Sequence, residues 1–572
     1  MKSTFRPTHR RRLMAAIAAC GLAAAACGSD SDSVADTNAP VVASSTAPTD
    51  QSTDDTTTAG TAETAETATS EDATVDTESG VTTTVETATE DTSSSSMDTD
   101  DRESDPDATL IFTYAVPNGT MDPAKTNTPF DLAYMRPVYD TLMVRGEDGN
   151  IGPGLATDWE FEDDSLLITL RTGVAFHDGT PFDADAVKAN LDRQMSLDGG
   201  TQKSFLASVA SVEVVDAQTV RLVLQSGAGA LVAALTGYPG MMVSPAVLDS
   251  DLTTTAVGTG PYTLVKSEPG VEAVYARYDG AWNPDQAGAA ELKIITNADA
   301  GQRLNQLKSG DAHAANMDPN LIEDAEAAGM QVLAKPANNM WLININTLGG
   351  LSDPDARRAI SLAIDREALV EGLDFGYGTA SSQILPPSEP GSNADVVATF
   401  DPDAARELAS SSGLAGKTLV FLGAAIPTIT GYQEALQAML GEVGINVEIR
   451  SVERAQVADE LIAGNWDLYM NFFPGSADPW LTYNAVFGPD SVWFPGEAPA
   501  EVVSLLDDAE NETDPAARIA IFEELAVAVD ELSLVAVIAH PERPVVAVAE
   551  VTDFLGNVHA VPQLRGSGIA AS

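Results

Sequence analysis

Residues 108–572 are predicted to form an α/β protein with more than one lobe. Three observations carry that expectation. Short β-rich runs alternate with alanine-rich helical patterns along the stretch, which indicates strands and helices packed in layers. Its 465 residues exceed what a single hydrophobic core organises. Neither cysteine of the chain, Cys20 or Cys27, lies within it, so buried apolar surface must hold it together without disulfides.

The elements follow in order. Leu110–Tyr114 opens the region as a β-branched and aromatic strand. Leu166–Leu170, Val212–Val215 and Val220–Leu224 read as further strands, the last two joined by the turn Asp216-Ala217-Gln218. Asp185–Met195 places Ala186, Ala189 and Leu191 among polar residues, a helical pattern. Ser352-Asp353-Pro354 supplies an N-cap and a first-turn proline for a helix running through Ala359, Leu362 and Ala363. Tyr432–Val443 is a helix closed by Gly444, and the strand Ile445–Val452 follows it.

The N-terminal part has a different character. Lys2, Arg6 and Arg10–Arg12 precede the apolar run Leu13–Ala26. That run is shorter than the about 20 residues of a membrane-spanning helix, so 1–27 reads as a signal peptide. It ends Ala24-Ala25-Ala26-Cys27-Gly28, which resembles the lipobox of bacterial lipoproteins and implies lipidation of Cys27. Ala24 departs from the usual leucine. Ile17-Ala18-Ala19-Cys20 fits that place better but leaves an apolar core of only about seven residues. An uncleaved anchor and a plain secretory signal are the alternatives. From 28 to 107, Ser, Thr, Ala, Asp and Glu dominate and aromatics are absent, so the segment is expected to be a disordered tether with a reach of roughly 50 Å.

Charge narrows the partners. The chain carries a net charge of −55, and residues 108–572 hold 64 acidic against 24 basic residues. Such a balance argues against nucleic acid or anionic headgroups as partners of the folded part.

A series of motifs carries a family resemblance. Leu170-Arg171-Thr172-Gly173-Val174-Ala175-Phe176-His177-Asp178-Gly179-Thr180-Pro181-Phe182 is followed by Gly258-Thr259-Gly260-Pro261-Tyr262 and Tyr278-Asp279-Gly280-Ala281-Trp282. Leu307-Lys308-Ser309-Gly310-Asp311, Ala363-Ile364-Asp365-Arg366, Asp401-Pro402-Asp403 and Gly464-Asn465-Trp466-Asp467-Leu468 extend it, and Asp478-Pro479 closes it. In this order, across 108–572, the chain resembles the family 5 extracellular solute-binding proteins, receptors of ABC importers for oligopeptides, dipeptides and nickel. The resemblance implies a two-lobed periplasmic-binding-protein type II fold with an extra subdomain inserted in the first lobe. It places lobe 1 at 108–150, 257–338 and 536–572, the subdomain at 151–256, and lobe 2 at 339–535. It also implies capture of a peptide or other small solute by hinge closure, delivery to ABC permease subunits, an extracytoplasmic monomer held to the membrane by lipidated Cys27, and neither cofactor nor metal.

The same segments carry the candidate site residues. Trp341 and Asn344 lie in Asn339-Met340-Trp341-Leu342-Ile343-Asn344, where the family crosses its hinge. Phe472, Phe473, Ser476 and Trp480 lie in Met470–Trp480, the stretch in which peptide-binding members place an aspartate that pairs with the ligand's α-ammonium. Gly475 stands at that place here, which counts against peptides with free amino groups. Asp478, beside Pro479, is expected to order the turn. Tyr114, ending the first strand, and Tyr238, beside Pro239-Gly240, complete the set.

Enzyme chemistry finds little support. His177-Asp178 is expected to be a hydrogen-bonded turn, and no Gly-x-Ser-x-Gly elbow supplies a nucleophile. The histidines are scattered, without a metal-binding pair at i,i+4. A secreted, tethered hydrolase is the alternative from another functional class.

Overall fold

The computed structural model describes residues 102–571, apart from 127, 147, 336, 477, 490, 555, 556, 559 and 560. The signal segment, Cys27 and the tether up to residue 101 lie outside the described residues. The end of the expected tether is folded: Ser104 bridges to Ala570, and Arg102 Nη1 donates to Ala549 O at 2.7 Å.

Two large sheets organise the rest. The first has seven strands in the spatial order Gln331–Leu333, Val545–Ala547, Ala314–Asn316, Thr109–Tyr114, Glu291–Thr296, Glu272–Arg277 and Tyr262–Glu268. Thr109–Tyr114 runs parallel to both of its neighbours. The second has six, in the order Gly378–Ala380, Val535–Pro541, Met340–Ile345, Leu468–Phe473, Thr418–Ala424 and Asn446–Val452. The last three of these are mutually parallel where they pair.

The chain crosses between the sheets twice. It leaves the first after Leu333 to enter Met340–Ile345, and it returns from Pro541 to Val545. Val535–Pro541 pairs with Met340–Ile345 and Gly378–Ala380, and the chain returns to the first sheet beyond that strand.

Burial explains why these strands form. Met340–Ile345 and Val535–Pro541 are buried at every position. In Met340–Ile345, Trp341, Ile343 and Ile345 face one core, while Met340 and Leu342 face another. A strand covered on both faces reads as a continuous apolar run, without the alternation of a half-exposed one.

A four-stranded antiparallel sheet, Ala156–Glu162, Ser165–Leu170, Thr219–Leu224 and Val209–Asp216, forms a separate layer. One face packs Leu166, Ile168, Val212, Val220 and Leu222 against Val187 and Leu191 of the helix Ala184–Ser196. The strands expected at 166–170, 212–215 and 220–224 lie within this sheet.

Part of the acidity is structural. Asp183, Asp299, Asp353, Asp365, Asp401, Asp478 and Asp514 each cap a helix N-terminus through a side-chain oxygen. A carboxylate there satisfies orphan N–H groups and meets the positive end of the helix dipole. The helix expected from Tyr432 begins earlier, as Pro427–Glu442. Its first turn, Pro-Thr-Ile-Thr, has β-branched residues that favour strands, but Pro427 suits the first helical position and Ile429 packs into the second sheet's core.

Candidate functional site

The parallel strands point their carboxyl ends toward the two crossings. In the first sheet these ends are Tyr114, Thr296 and Asn316; in the second they are Ala424, Val452 and Phe473. Ligands of open α/β sheets bind beyond such ends. Arg543, on the return crossing, joins the two sides. Its guanidinium carbon lies 5.7 Å from the centre of the Phe130 ring, beside the first sheet, and 5.4 Å from that of Phe472, in the second. A buried ion pair between Arg145 and Glu389 and the hydrogen bond from Gly229 N to Glu510 O (2.9 Å) also join the two sides.

The expected site residues divide between this locus and the cores behind it. Trp341 is 8% exposed and is the cross-strand partner of Phe472. Its ring centre lies 4.6 Å from Phe472 and 4.7 Å from Tyr432, giving an aromatic cluster at the entrance of the first crossing. Tyr114 is buried between Phe112 and Tyr134, with ring separations of 5.8 and 6.0 Å, and burial pushes its phenol pKa up. Tyr238 is half-buried and donates its hydroxyl to Thr128 O at 2.7 Å, two residues from Phe130. Ser476 N donates to Thr482 Oγ1 at 3.0 Å, and Ser476 O accepts from Asn338 Nδ2 at 3.3 Å, next to the first crossing.

Asn344, Phe473 and Trp480 are placed differently. Asn344 is fully buried and accepts from Asn471 Nδ2 at 3.0 Å, on the face of the strand opposite Trp341. Phe473 packs edge-on against Trp493 at 6.1 Å, within the other core of the second sheet. Trp480 Nε1 donates to Leu506 O at 3.0 Å, which ties its indole to a neighbouring helix.

Phe130, Asp374, Tyr432 and Arg543 join this locus without a site signal in the sequence. Asp374 accepts from the Tyr432 hydroxyl at 2.6 Å, and burial pushes its carboxyl up to about 6. The Trp341 indole N–H makes no hydrogen bond of normal geometry but faces this carboxyl closely enough to oppose the shift. None of these contacts has a local sequence signal, since each joins residues distant in the chain.

The chemistry of the remaining candidates is settled by their partners. A Cβ added to Gly475 would lie 2.0 Å from Asn338 O, so the close passage of the first crossing requires glycine. Asp478 is buried, accepts from Trp480 N at 2.9 Å, and takes a fork of bonds from Arg518 at 2.5 and 2.7 Å. His177 Nε2 donates to Gly260 O at 2.9 Å while Nδ1 accepts from Gly258 N at 3.4 Å, and burial lowers its pKa. Both imidazole nitrogens are thus engaged by backbone and leave none to activate a nucleophile.

The family model of the bacterial extracellular solute-binding proteins, family 5 Middle, matches residues 150–493. The chain belongs to this family. The glutathione-binding protein GsiB of Salmonella paratyphi A is 30% identical over 356 residues, covering 60% of this chain and 69% of that protein. An ABC transporter substrate-binding protein from Sinorhizobium meliloti has a TM-score of 0.70 at 26% identity, covering 81% of this chain and all (100%) of that one. The nickel ABC transporter protein from Bacillus halodurans has a TM-score of 0.71 at 22% identity, covering 79% of this chain and 98% of the other, a likeness of fold. The protein is therefore a family 5 solute-binding protein of the ABC-importer type, with a type II periplasmic-binding fold, and not an enzyme. Among the described residues, no helix is long and apolar enough to cross a membrane.

Proposed function

We propose that the protein captures a peptide-like or other small solute in the cleft between its two large sheets and hands it, closed, to membrane permease subunits. The observation that carries this reading is Arg543, packed between Phe130 and Phe472 at the carboxyl ends of both sets of parallel strands. Trp341, Phe472, Tyr114, Tyr238 and Ser476 would line the cleft, with Asn344, Phe473 and Trp480 fixing the strands and turn behind them. Lobe 1 would comprise 108–150, 257–338 and the chain after the return crossing; the subdomain 151–256; and lobe 2 the residues between the crossings. Hinge closure about two crossings is a common way for receptors to sequester small solutes.

A relative is named for glutathione, and the ABC transporter-associated periplasmic binding protein DppA from Helicobacter pylori, at 20% identity, is described in complex with the peptide STSA. These favour peptide-like ligands, and Gly475 favours those that do not depend on a carboxylate at that position. Calorimetry with glutathione and with di- to pentapeptide mixtures tests the reading. Trp341→Ala or Phe472→Ala is expected to weaken binding at least tenfold, with small-angle scattering showing less compaction on addition of solute. Unchanged affinity in both variants would refute the cleft assignment.

The anchoring proposal has its own test. With Cys27 as the acylated residue, Cys27→Ala should release a monomeric protein into the medium, whereas Cys20→Ala should leave it on the membrane, because stable attachment needs two or more acyl chains. Equal retention of the two variants would exclude Cys27.

A further inference from the structure

The two sides of the molecule also meet away from the crossings at 334–339 and 542–544. Two contacts make this junction. In the first, Arg145, at the end of the strand Met143–Arg145, pairs with Glu389, and only 7% of either side chain is exposed. A Cβ added to nearby Gly149 would lie 2.8 Å from Pro390 Cδ, so the segments touch beyond the ion pair. In the second, Gly229 N, just after the strand Thr219–Leu224, donates to Glu510 O at 2.9 Å.

The second contact is a helix cap supplied from the opposite side. The helix Ala500–Asn511 ends in carbonyls that its own backbone cannot satisfy. Arg518 Nε donates to Ala509 O at 2.9 Å from within the same side, and Gly229 N donates to the next carbonyl from across the junction. Backbone must approach backbone for this, which accounts for the pattern Gly227-Ala228-Gly229. Ala228 is buried in the core under the four-stranded sheet. A Cβ at Gly227 would lie 2.6 Å from Glu510 O, and one at Gly229 would lie 2.6 Å from both Ala509 O and Glu512 O. Neither glycine has a positive φ, so the opposite side, not the local backbone, excludes a side chain.

The two contacts are linked through Asp478. It acts on the charge of Arg145, and it takes the fork of bonds from the same Arg518 that caps Ala509. Parting the sides would hand Glu510 O, Arg145 and Glu389 to water, which replaces the partners they lose. Removing one partner is different, because Arg145 would then have to be buried without its paired carboxylate each time the sides approach. A methyl group at residue 229 would likewise occupy the space of two carbonyl oxygens.

We propose that the Gly227–Gly229 loop and the Arg145–Glu389 pair form a latch that stabilises the closed receptor and sets how long a captured solute is held. This rests on the receptor reading and adds the residues that govern release. Affinity combines encounter with the open form and the closing equilibrium, so a weaker latch shortens residence and leaves encounter unchanged.

The test uses the full chain, with glutathione and a di- to pentapeptide mixture as probes. In Gly229→Ala, a bound probe should dissociate about tenfold faster, with an association rate within about twofold of the parent's. Glu389→Gln should speed dissociation about fivefold. Gly152→Ala, on a neighbouring strand with open space around it, should leave both rates unchanged. Hydrogen exchange without ligand gives the second readout. Gly229→Ala should speed exchange at 386–392, and Glu389→Gln should speed it at 226–230, while Met340–Ile345 keeps its parental rate. Parental dissociation rates in both variants overturn the latch, as does slower association with unchanged dissociation. Loss of protection that extends to Met340–Ile345 would mark a folding role and also overturn it. If the parent binds neither probe, the receptor reading fails for these ligands and exchange alone judges the latch. Changes that cross from one contact to the other then support it, and changes confined to the mutated contact overturn it.

Discussion

The six-stranded sheet and the four-stranded sheet solve the burial problem in opposite ways. In the first, Met340–Ile345 is buried at every residue and separates two cores. In the second, Val209–Asp216 buries Val209 and Val212 and leaves its other residues exposed. The difference shows where positions are fixed most tightly. The strand with both faces packed carries Trp341 to the first crossing and has little freedom to shift, because its alternate side chains are locked into separate cores. The half-exposed sheet can tolerate change without moving the site.

The largest contrast should appear in ion pairs. Arg518→Ala would leave Asp478 buried without its partner and is expected to cost about 3–5 kcal/mol in urea denaturation. Arg221→Ala breaks a pair with Glu162 at 3.4 Å whose side chains are 35% and 44% exposed, and should cost no more than about 1 kcal/mol. Similar costs for the two would mean that the region of the six-stranded sheet is less tightly closed than its burial indicates.

Apolar truncation should give the next largest separation. Leu342→Ala, in the doubly covered strand, is expected to destabilise by about 3 kcal/mol through lost transfer energy and a cavity. Val214→Ala, 38% exposed in the four-stranded sheet, should change stability by less than about 0.5 kcal/mol. Thermal melts and urea titrations of the two variants provide the check.

The third contrast reverses sign. Burial raises Asp374 to about 6, so the folded state binds its proton more readily than the unfolded chain. Its charge therefore opposes folding at neutral pH, and that penalty fades as pH falls through about 6 toward the ordinary value of 3.8. Asp374→Asn should stabilise the protein at pH 7 by about 1–2 kcal/mol after allowing for a weaker Tyr432 hydrogen bond, and by almost nothing near pH 4. Asp216→Asn, at an exposed turn of the four-stranded sheet, should change stability at pH 7 by less than about 0.5 kcal/mol. A variant at 374 that is less stable than the parent across that range would show that the Tyr432–carboxylate bond outweighs burial.

The same contrast marks what the sequence could reveal. β-Rich runs and the turn Asp216-Ala217-Gln218 exposed the strands 166–170 and 220–224. The motif series carried the family and its two-lobed plan. Trp341 was legible from its place at the crossing, but its partners were not: Tyr432 and Asp374 reach it from separate helices. Arg543 meets Phe130 across more than four hundred positions, and no local period encodes such a contact. Asn344 and Phe473 sit in equally apolar strings, where sequence could not distinguish which core each residue faces.

Gly475 was read as chemistry, the absence of a carboxylate, and the structure adds geometry to that reading. The carbonyl of Asn338 occupies the place where a side chain would begin, on the strap that links one half of the molecule to the other. A mutation that restored an acidic side chain there would also push this strap aside. The identity of residue 475 and the path of the chain between the two sheets are therefore coupled, and any side chain there would require Asn338 to shift.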